Sequence, residues 1–374
     1  MKIKGAVLEE IGRSRPYADS KPISISEVEL DPPGPGEILV RIEAAGVCHS
    51  DLSVVDGNRV RPVPMLLGHE AAGKVEELGE GITDLSVGDR VVMAFLPRCG
   101  QCKNCQTDGR LPCTVGSAAN NAGTLLNDGQ RLHRDGEDIK HHLGVSGFAT
   151  HAVVNRKSVV AVGDDVPPEI AAVLGCAVLT GGGAVINTAD LQDGDAVIIV
   201  GLGGVGMAAL ITAISLGKGD VIGVDSVPEK LESAKKLGAT SAYTPQEAIE
   251  TGLKAAVVIE AAGNARAFET AVNLTDVGGK TVTVGLPAPD ARASLAPLGI
   301  TAEARTIVGS YLGSAVPERD IPTYAQLWRE GSLPVEALIS SHITLDQINE
   351  AMDQLADGHA IRQVITFGNK GQTL

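Results

Sequence analysis

The segment that most constrains the fold is AVIIVGLGGVGMAALITAISLG, residues 196–217, in which a glycine-rich turn joins two apolar runs. Three more short runs rich in β-branched residues follow, DVIGVD, AAVVIEAAG and KTVTVGL, and helical segments separate them. One such segment, PEKLESAKKLGA, begins with Pro228 and ends at Gly238, which are typical helix-start and helix-end residues. Strands that alternate with helices form βαβ units, so this region is predicted to be an α/β domain with a doubly wound parallel sheet.

The same glycine turn predicts a nucleotide site. Gly201, Gly203 and Gly206 form a GxGxxG pattern between a strand and a helix, which is the context that a dinucleotide-binding motif requires. Glycine lets the backbone approach a pyrophosphate, whose charge the helix N-terminus meets. Asp225 ends the next strand, nineteen residues beyond Gly206, near the spacing of a ribose-binding carboxylate. A carboxylate there would bind both ribose hydroxyls and repel a 2′-phosphate, so NAD is predicted over NADP. The alternatives are a plain glycine turn and a solvated strand end.

The first half of the chain has a different pattern. Short strands bounded by Gly, Pro, Asp or Asn recur at 37–48, 88–95 and 148–154, so residues up to about 177 are predicted to be mostly β. The polar segment 113–148 has little periodicity and is predicted to be a large loop. A chain of 374 residues is longer than one average domain, and two domains are expected.

Charge and hydropathy exclude several classes of partner. The net charge of −15 disfavours nucleic acid and anionic membranes, which need a basic face. The N-terminus lacks the apolar stretch of a signal peptide. The charge-free runs 170–189 and 196–217 are each about as long as a membrane span, but both are glycine-rich and are predicted to be buried. A cytoplasmic protein is therefore expected, with its thiols reduced.

Four of the six cysteines, Cys99, Cys102, Cys105 and Cys113, lie in the pattern CxxCxxCx₇C. Reduced, clustered thiols favour metal binding over disulfides. Four thiolates satisfy tetrahedral Zn²⁺ at about 2.3 Å each and leave no open position, so a structural zinc site is predicted. An iron–sulfur cluster is the alternative, since CxxCxxC runs occur there too.

A second set of metal-binding residue types is scattered. Cys48 lies in GVCHSD, His69 in GHE and Cys176 in GCAVLTGGG, and Cys₂His with one open position is a catalytic zinc arrangement. Taken singly, a buried cysteine is usually core packing, and His69 could be a core histidine with satisfied hydrogen bonds. Taken together, they give every cysteine a role. Asp51 is a candidate for orienting a ligating imidazole. Glu70 could lie near the metal or serve on the surface.

At this point the sequence resembles the zinc-containing alcohol dehydrogenases of the medium-chain dehydrogenase/reductase superfamily. The resemblance covers nearly the whole chain, including GVCHSD, GHEAAGKVEELGEGI, VGDRVVM, the four cysteines, GCAVLTGGG, GLGGVG and IRQVITF. It implies a GroES-like, β-rich catalytic domain built from residues 1–177 and 312–374. An inserted Rossmann domain would occupy 178–311, with the active site in the cleft between the two domains.

The resemblance also implies site residues. Cys48, His69 and Cys176 resemble the catalytic zinc ligands, and Ser50 resembles the hydroxyl that passes the alcohol proton on. Phe95 and Leu143 fall on substrate-pocket positions. The positions implied for cofactor binding are His49, Thr180, Gly201, Gly203, Gly204, Val205, Gly206, Asp225, Lys230, Val284 and Arg362.

The implied activity is zinc-assisted hydride transfer between a primary, apolar alcohol and NAD, with one catalytic and one structural zinc ion. The long segment after Cys113 resembles that of dimeric relatives, so a homodimer is implied, with a homotetramer as the alternative. Ser53 replaces a histidine that ends the proton relay in several relatives. Ser117 replaces an arginine of the glutathione-dependent formaldehyde dehydrogenases, which weakens that alternative but leaves a formaldehyde dehydrogenase that uses another thiol. A dinucleotide-sensing or structural protein would lack the zinc ligands.

Overall fold

The computed structural model of the protein describes residues 1–358 and 360–368. The chain forms two compact units: the first comprises residues 1–176, 316–325 and 339–368, and the second comprises residues 177–315 and 326–338. The strands are β1 Lys2–Leu8, β2 Ile23–Leu30, β3 Glu37–Val47, β4 Met65–Leu66, β5 Ala71–Leu78, β6 Arg90–Met93, β7 Leu132–Arg134, β8 Glu137–Asp138, β9 Lys140–His141, β10 His151–Asn155, β11 Val159–Val162, β12 Val197–Val200, β13 Val221–Val224, β14 Ser241–Tyr243, β15 Ala255–Glu260, β16 Thr275–Thr283, β17 Thr306–Gly309, β18 Ser341–Ile343 and β19 Gln363–Thr366.

The helices, in the same order, are α1 Tyr17–Ser20, α2 His49–Val55, α3 Thr114–Ala122, α4 Pro168–Val173, α5 Leu179–Gly183, α6 Gly204–Leu216, α7 Pro228–Lys236, α8 Pro245–Glu250, α9 Ala265–Leu274, α10 Pro297–Ala302, α11 Pro317–Arg329 and α12 Ile348–Ala356.

The first unit is β-rich, as predicted. One sheet has the strand order β8-β7-β2-β1-β4-β9, and the other has the order β11-β6-β5-β3-β19-β18, with β10 also paired to β3. Strand β3 is long enough to hold β10 along its first half and β19 along its second half, while β5 lies on its other edge. The apolar faces bury a cluster of Val, Ile and Leu side chains that includes Val7, Leu39 and Leu66.

The second unit confirms the predicted doubly wound α/β class. Its sheet has the order β14-β13-β12-β15-β16-β17, and every neighbouring pair is parallel. Numbered along the chain, this is the 3-2-1-4-5-6 order of a dinucleotide-binding sheet. Ile198, Val224 and Val258 belong to its buried core, and both faces of such a sheet must be covered, which explains the near-continuous apolar runs in the sequence.

Residues 168–189 form one helical stretch that contains two π-helical segments. α4 is followed by a π-helical segment, Leu174–Val178, then by α5 and a second π-helical segment, Ala184–Ala189. The stretch is long and apolar enough to cross a membrane, but 89% of its most apolar window is buried inside the structure, as in a core helix. The boundary between the two units falls within it, after Cys176.

Two observations differ from the sequence-based expectations. The predicted loop 113–148 contains helix α3 and strands β7 to β9, because capping and pairing, not an apolar period, stabilise these elements. Residues 312–315 and 326–338, assigned to the catalytic domain, lie in the second unit, where the 3₁₀ turn Val335–Leu338 packs against α6. The domain boundaries otherwise stay a prediction, and the end of the predicted segment 312–374 lies outside the described residues.

Candidate active site

Three neighbouring strands of the first unit position the candidate site. Strand β3 ends at Val47, one residue before Cys48, and Val47 pairs with Gln363, the residue after Arg362. Strand β5 begins at Ala71, directly after His69 and Glu70, and Ala71 pairs with Ala45 of β3. Sheet register therefore brings together residues that are about 20 and about 300 positions apart in the chain.

The predicted catalytic ligands meet at these strand ends. The ligand atoms of Cys48, His69, Glu70 and Cys176 all lie within 4.8 Å of one another, and all four side chains are buried. His69 Nε2 is 3.3 Å from Cys176 Sγ. Cys176 comes from the π-helical segment Leu174–Val178, and such segments are frequent at functional sites.

Asp51 lies behind the His69 ring, as its predicted role requires. Its Oδ1 atom is 2.9 Å from His69 Nδ1, and its Oδ2 atom accepts a hydrogen bond from the Cys48 amide at 2.9 Å. Burial opposes ionisation of Asp51, but His69 and His142 outweigh burial, so the pKa of Asp51 is lowered. A carboxylate on Nδ1 holds the proton on that nitrogen and leaves Nε2 free for a metal.

Glu70 and Arg362 form a second buried pair beside the thiols. Arg362 Nη1 lies 3.3 Å from Glu70 Oε2 and donates a hydrogen bond to the Val47 carbonyl at 3.1 Å. Burial raises the pKa of Glu70 to about 7, although the Arg362 charge opposes this shift. Position 46 requires glycine, because a Cβ atom there would collide with the Glu70 carboxylate. Arg362 was predicted to bind the cofactor, and this role stays a prediction.

The donor set fits a catalytic zinc ion. Zinc prefers thiolate and imidazole ligands, and two cysteines with one histidine leave a fourth position open. A hydrogen bond with Cys176 lowers the pKa of Cys48, burial opposes this, and Arg362 and His69 add to the lowering. The Cys48 thiol is therefore ready to bind as a thiolate, which is the form that ligates metals.

The four clustered cysteines form a separate closed site. Their Sγ atoms lie 3.9 Å apart for Cys99 and Cys105, 3.5 Å for Cys102 and Cys105, and 3.9 Å for Cys102 and Cys113. Ligands about 2.3 Å from a tetrahedral centre are about 3.8 Å apart, whereas a disulfide needs about 2.05 Å. The backbone amides of residues 99 and 116 also donate hydrogen bonds to Cys113 Sγ. This is a structural zinc site, with sulfur in every position.

The predicted nucleotide loop lies in the second unit. Gly201 has φ +91°, and a Cβ atom there would collide with Ala262, while a Cβ at Gly206 would collide with the Gly201 carbonyl. Asp225 accepts hydrogen bonds from the amides of Leu202 at 2.6 Å and Val227 at 2.9 Å. The carboxylate thus ties the glycine loop to the end of β13. The loop is open at Gly203, where nothing lies within 4 Å of an added Cβ.

The other predicted cofactor residues lie in both units. Thr180 and Val284 are buried and Val205 and Lys230 are half-buried in the second unit, where Gly204 begins α6. In the first unit, His49 is exposed and Ser50 is half-buried, both in the first turn of α2. Their functions stay predictions.

Phe95 and Leu143, the predicted pocket residues, both lie in the first unit. The Phe95 ring is edge-on to the His69 ring, with centroids 5.4 Å apart, so Phe95 is beside the candidate metal ligand. Leu143 is buried with φ +53°. Ser53 donates a hydrogen bond to the His49 carbonyl at 2.7 Å, and Ser117 is half-buried on α3.

His142 is a site residue that the sequence reasoning missed. Its Nδ1 atom lies 3.3 Å from Asp51 Oδ1, so Asp51 lies between two imidazoles. Asp51, His69 and His142 have ligand atoms within 4.8 Å of one another, and all three are buried. The available signal is its position directly before Leu143, a predicted substrate-pocket residue.

Comparisons with known proteins agree with this geometry. Residues 34–164 match the alcohol dehydrogenase GroES-like domain, and residues 204–330 match the zinc-binding dehydrogenase domain. The chain is 36% identical over 379 residues to the protein named alcohol dehydrogenase B of Mycobacterium tuberculosis, across 98% of this chain and 99% of that protein.

Two solved structures have a similar fold over their full lengths. One is an alcohol dehydrogenase zinc-binding domain protein from Burkholderia ambifaria, with a TM-score of 0.90 and 30% identity across 99% of this chain and 100% of that chain. The other is benzyl alcohol dehydrogenase from Acinetobacter calcoaceticus, with a TM-score of 0.89 and 29% identity across 98% and 100%. The chain belongs to the zinc-containing alcohol dehydrogenase family of the medium-chain dehydrogenase/reductase superfamily.

Proposed function

We propose that the protein is an NAD- and zinc-dependent alcohol dehydrogenase that interconverts a primary, apolar alcohol and its aldehyde by hydride transfer. The observation that carries the proposal is the buried group of Cys48, His69 and Cys176, with Asp51 behind the His69 ring. When bound to these three side chains, zinc would supply Lewis acidity toward the substrate oxygen and so favour loss of the hydroxyl proton.

Side chains of the first unit perform the remaining tasks in this proposal. Asp51 keeps His69 in the tautomer whose Nε2 faces Cys176. Ser50, two residues after Cys48 on α2, accepts the proton of the substrate hydroxyl and passes it toward the cofactor ribose. Phe95 and Leu143 are apolar and buried in the same unit, which supports an apolar substrate. The structural similarity to benzyl alcohol dehydrogenase makes aromatic alcohols part of the first panel to test.

NAD is the cofactor supported by the second unit. The glycine loop leaves space for a pyrophosphate at the N-terminus of α6, which favours negative charge. Asp225 stands at the end of β13, where a carboxylate binds ribose hydroxyls and repels the additional phosphate of NADP. Nicotinamide contacts are assigned to Thr180 and Val205, and Val284 is assigned to cofactor binding.

Assembly and compartment follow from the same proposal. We infer a homodimer from the long segment after Cys113, with a homotetramer as the alternative. All six cysteines belong to the two metal-binding groups, so none is left for a structural disulfide, and this supports a reducing compartment such as the cytoplasm.

The test combines metal content with steady-state kinetics. The purified chain is expected to hold two zinc ions and to oxidise primary alcohols with NAD at a kcat/KM well above that with NADP. Cys48→Ala should lose one zinc ion and all measurable turnover but still bind NAD, because the nucleotide loop lies in the other unit. Turnover that survives loss of that zinc ion would contradict the proposal. Formaldehyde oxidation that saturates only with an added thiol would favour the thiol-dependent alternative.

A further inference from the structure

His142 is a buried second imidazole that the proposed reaction does not use. It is 1% exposed, and its Nδ1 atom lies 3.3 Å from the same Asp51 oxygen that is 2.9 Å from His69 Nδ1. The His69 and His142 rings are edge to face, with centroids 5.6 Å apart and an interplanar angle of 79°. Among the described residues, neither nitrogen of His142 makes a hydrogen bond of normal geometry, so the Asp51 carboxylate at 3.3 Å is the polar group placed to compensate for its burial.

The turn that carries His142 has an uncommon backbone conformation. Leu143 and Ser146 have φ +53° and +52°, in the left-handed region that residues other than glycine rarely adopt. The amides of Val145 and Ser146 donate to the His142 carbonyl, and the His142 amide donates to Ser146 Oγ at 3.0 Å. Strained positions of this kind persist where the surrounding structure determines them, and they cluster at functional sites. The turn fixes the point from which His142 approaches Asp51.

The geometry of this group is consistent with a supporting role. An imidazole carries at least one N–H group, which can lie on either ring nitrogen. Asp51 accepts hydrogen bonds only, so that N–H group belongs on Nδ1. Asp51 Oδ2 is held by the Cys48 amide, and Oδ1 lies between the two imidazoles. Both oxygens of the carboxylate that orients His69 are thus restrained.

We propose that His142 is a positioning residue of the catalytic metal site: its Nδ1–H group fixes the Asp51 carboxylate, and Asp51 fixes the His69 ring. The inference rests on the proposed function, because it assumes that His69 Nε2 binds the metal. Without His142, Oδ1 loses one of its two neighbours, and the His69 ring gains freedom to rotate. Loss of such outer partners typically weakens metal binding by about ten- to a hundredfold.

The test uses variants that keep or remove the Nδ1–H group. An asparagine amide nitrogen can occupy nearly the position of Nδ1, a glutamine amide reaches the position of Nε2, and leucine has no N–H group. The variants are therefore His142→Asn, His142→Gln and His142→Leu. His141→Leu is the matched control, because His141 is equally buried and adjacent but pairs with the Arg131 amide.

Zinc affinity of the full-length protein is measured by competition with a chromophoric chelator at neutral pH. The zinc-binding phase that is present in wild type and absent from Cys48→Ala is assigned to the catalytic site. In that phase His142→Leu and His142→Gln are expected to bind zinc about tenfold or more weakly, while His142→Asn and His141→Leu stay within about threefold of wild type. With Co²⁺ in the site, the visible absorption band should shift in His142→Gln but not in His142→Asn.

Two results would overturn the positioning role: wild-type zinc affinity in His142→Leu and His142→Gln, or equal weakening in His142→Leu and His141→Leu. If His142→Leu does not fold, the comparison of His142→Asn with His142→Gln tests the proposal. Equal zinc affinity in these two variants would also overturn the positioning role. If wild type and Cys48→Ala show the same zinc-binding phases, the wild-type protein has no zinc bound at the catalytic site. That result would contradict the zinc-dependent function itself.

Discussion

His141 and His142 are adjacent and equally buried, but they have different partners. His141 Nε2 accepts a hydrogen bond from the Arg131 amide at 3.2 Å, whereas His142 contacts a carboxylate. Burial, with help from the Arg131 charge, lowers the pKa of His141 to about 3. In the unfolded chain this side chain regains its ordinary pKa near 6.5. The folded protein therefore keeps His141 neutral at pH values where the unfolded chain would protonate it.

This difference predicts a loss of stability in acid. Below about pH 6.5 the unfolded chain binds one more proton than the folded chain at this position, so the free energy of unfolding falls by about 1.4 kcal/mol per pH unit toward pH 3. The contribution is fully present above pH 6.5 and is lost as the pH falls. In His141→Leu the unfolding free energy should lack this part of its dependence on pH. Urea unfolding of both proteins between about pH 5 and pH 7 measures it, and a difference in unfolding free energy that stays constant with pH would contradict the prediction.

At this scale the residues named from the sequence as metal ligands lie together in the structure, with Asp51 beside them, but the sequence did not indicate His142 or the contact between Glu70 and Arg362. Cys48, His69 and Cys176 were found because each lies in a short motif that matches the family. The contact between His142 and Asp51 has no local pattern, since it depends on how the turn 142–146 packs in the folded unit. The pairing of Glu70 with Arg362 likewise depends on β19 lying beside β3. Register across about 300 residues is a property of the folded sheet.

Among the elements, those with a clear apolar period were predicted, and the short elements of residues 113–148 were missed. The predicted strand 37–48 is observed as β3, Glu37–Val47, and the apolar runs after residue 190 are all observed as parallel strands. Helix α3 was missed because its sequence, TVGSAANNA, has no apolar repeat. It forms because Cys113 Sγ caps its first turn and Gly123, with φ +72°, ends it. The π-helical segments had no sequence signal beyond the nearby glycines.

The π-helical segment around Cys176 leads to a prediction for Gly175. A Cβ atom at Gly175 would collide with the carbonyl of Met93, the last residue of β6. Backbone cannot yield as a flexible side chain can, so Gly175→Ala should displace the segment and move Cys176 away from Cys48. The variant is expected to retain one zinc ion, in the four-cysteine site, and to lose turnover.

Zinc content per chain and NAD binding together measure this effect. The structural zinc ion should be retained because its ligands lie in residues 99–113, away from the helical stretch in sequence. A Gly175→Ala protein that binds two zinc ions with wild-type affinity would show that the close packing against Met93 is not required.

At the scale of the whole molecule, the domain boundaries stay a prediction, and one segment predicted for the catalytic domain lies in the second unit. Residues 326–338 belong to the second unit because Leu333, Val335 and Leu338 are buried there. A break in chain order of this kind cannot be recognised from composition, since both units bury the same residue types. Both candidate metal groups lie in the first unit.

The two metal groups should nevertheless serve different functions, and this predicts opposite effects of removing one ligand from each. The four-cysteine site is partly exposed, and a hydrogen bond with Thr114 lowers the pKa of Cys102 to about 5, which favours the metal-binding thiolate. The catalytic group is fully buried. Cys102→Ser should therefore lose the structural zinc ion and the order of residues 99–113, because a closed site contributes directly to folding.

We expect Cys102→Ser to inactivate faster than wild type on heating, while its kcat/KM at low temperature stays within about threefold of wild type, because no Cys102 atom takes part in the reaction. Cys48→Ala should show the reverse, with no turnover but a thermal midpoint close to that of wild type. Thermal inactivation half-lives and initial rates, both measured on freshly purified protein, separate the two effects. A Cys102→Ser protein as stable as wild type but without activity would contradict this division, because it would place the four cysteines in the reaction itself.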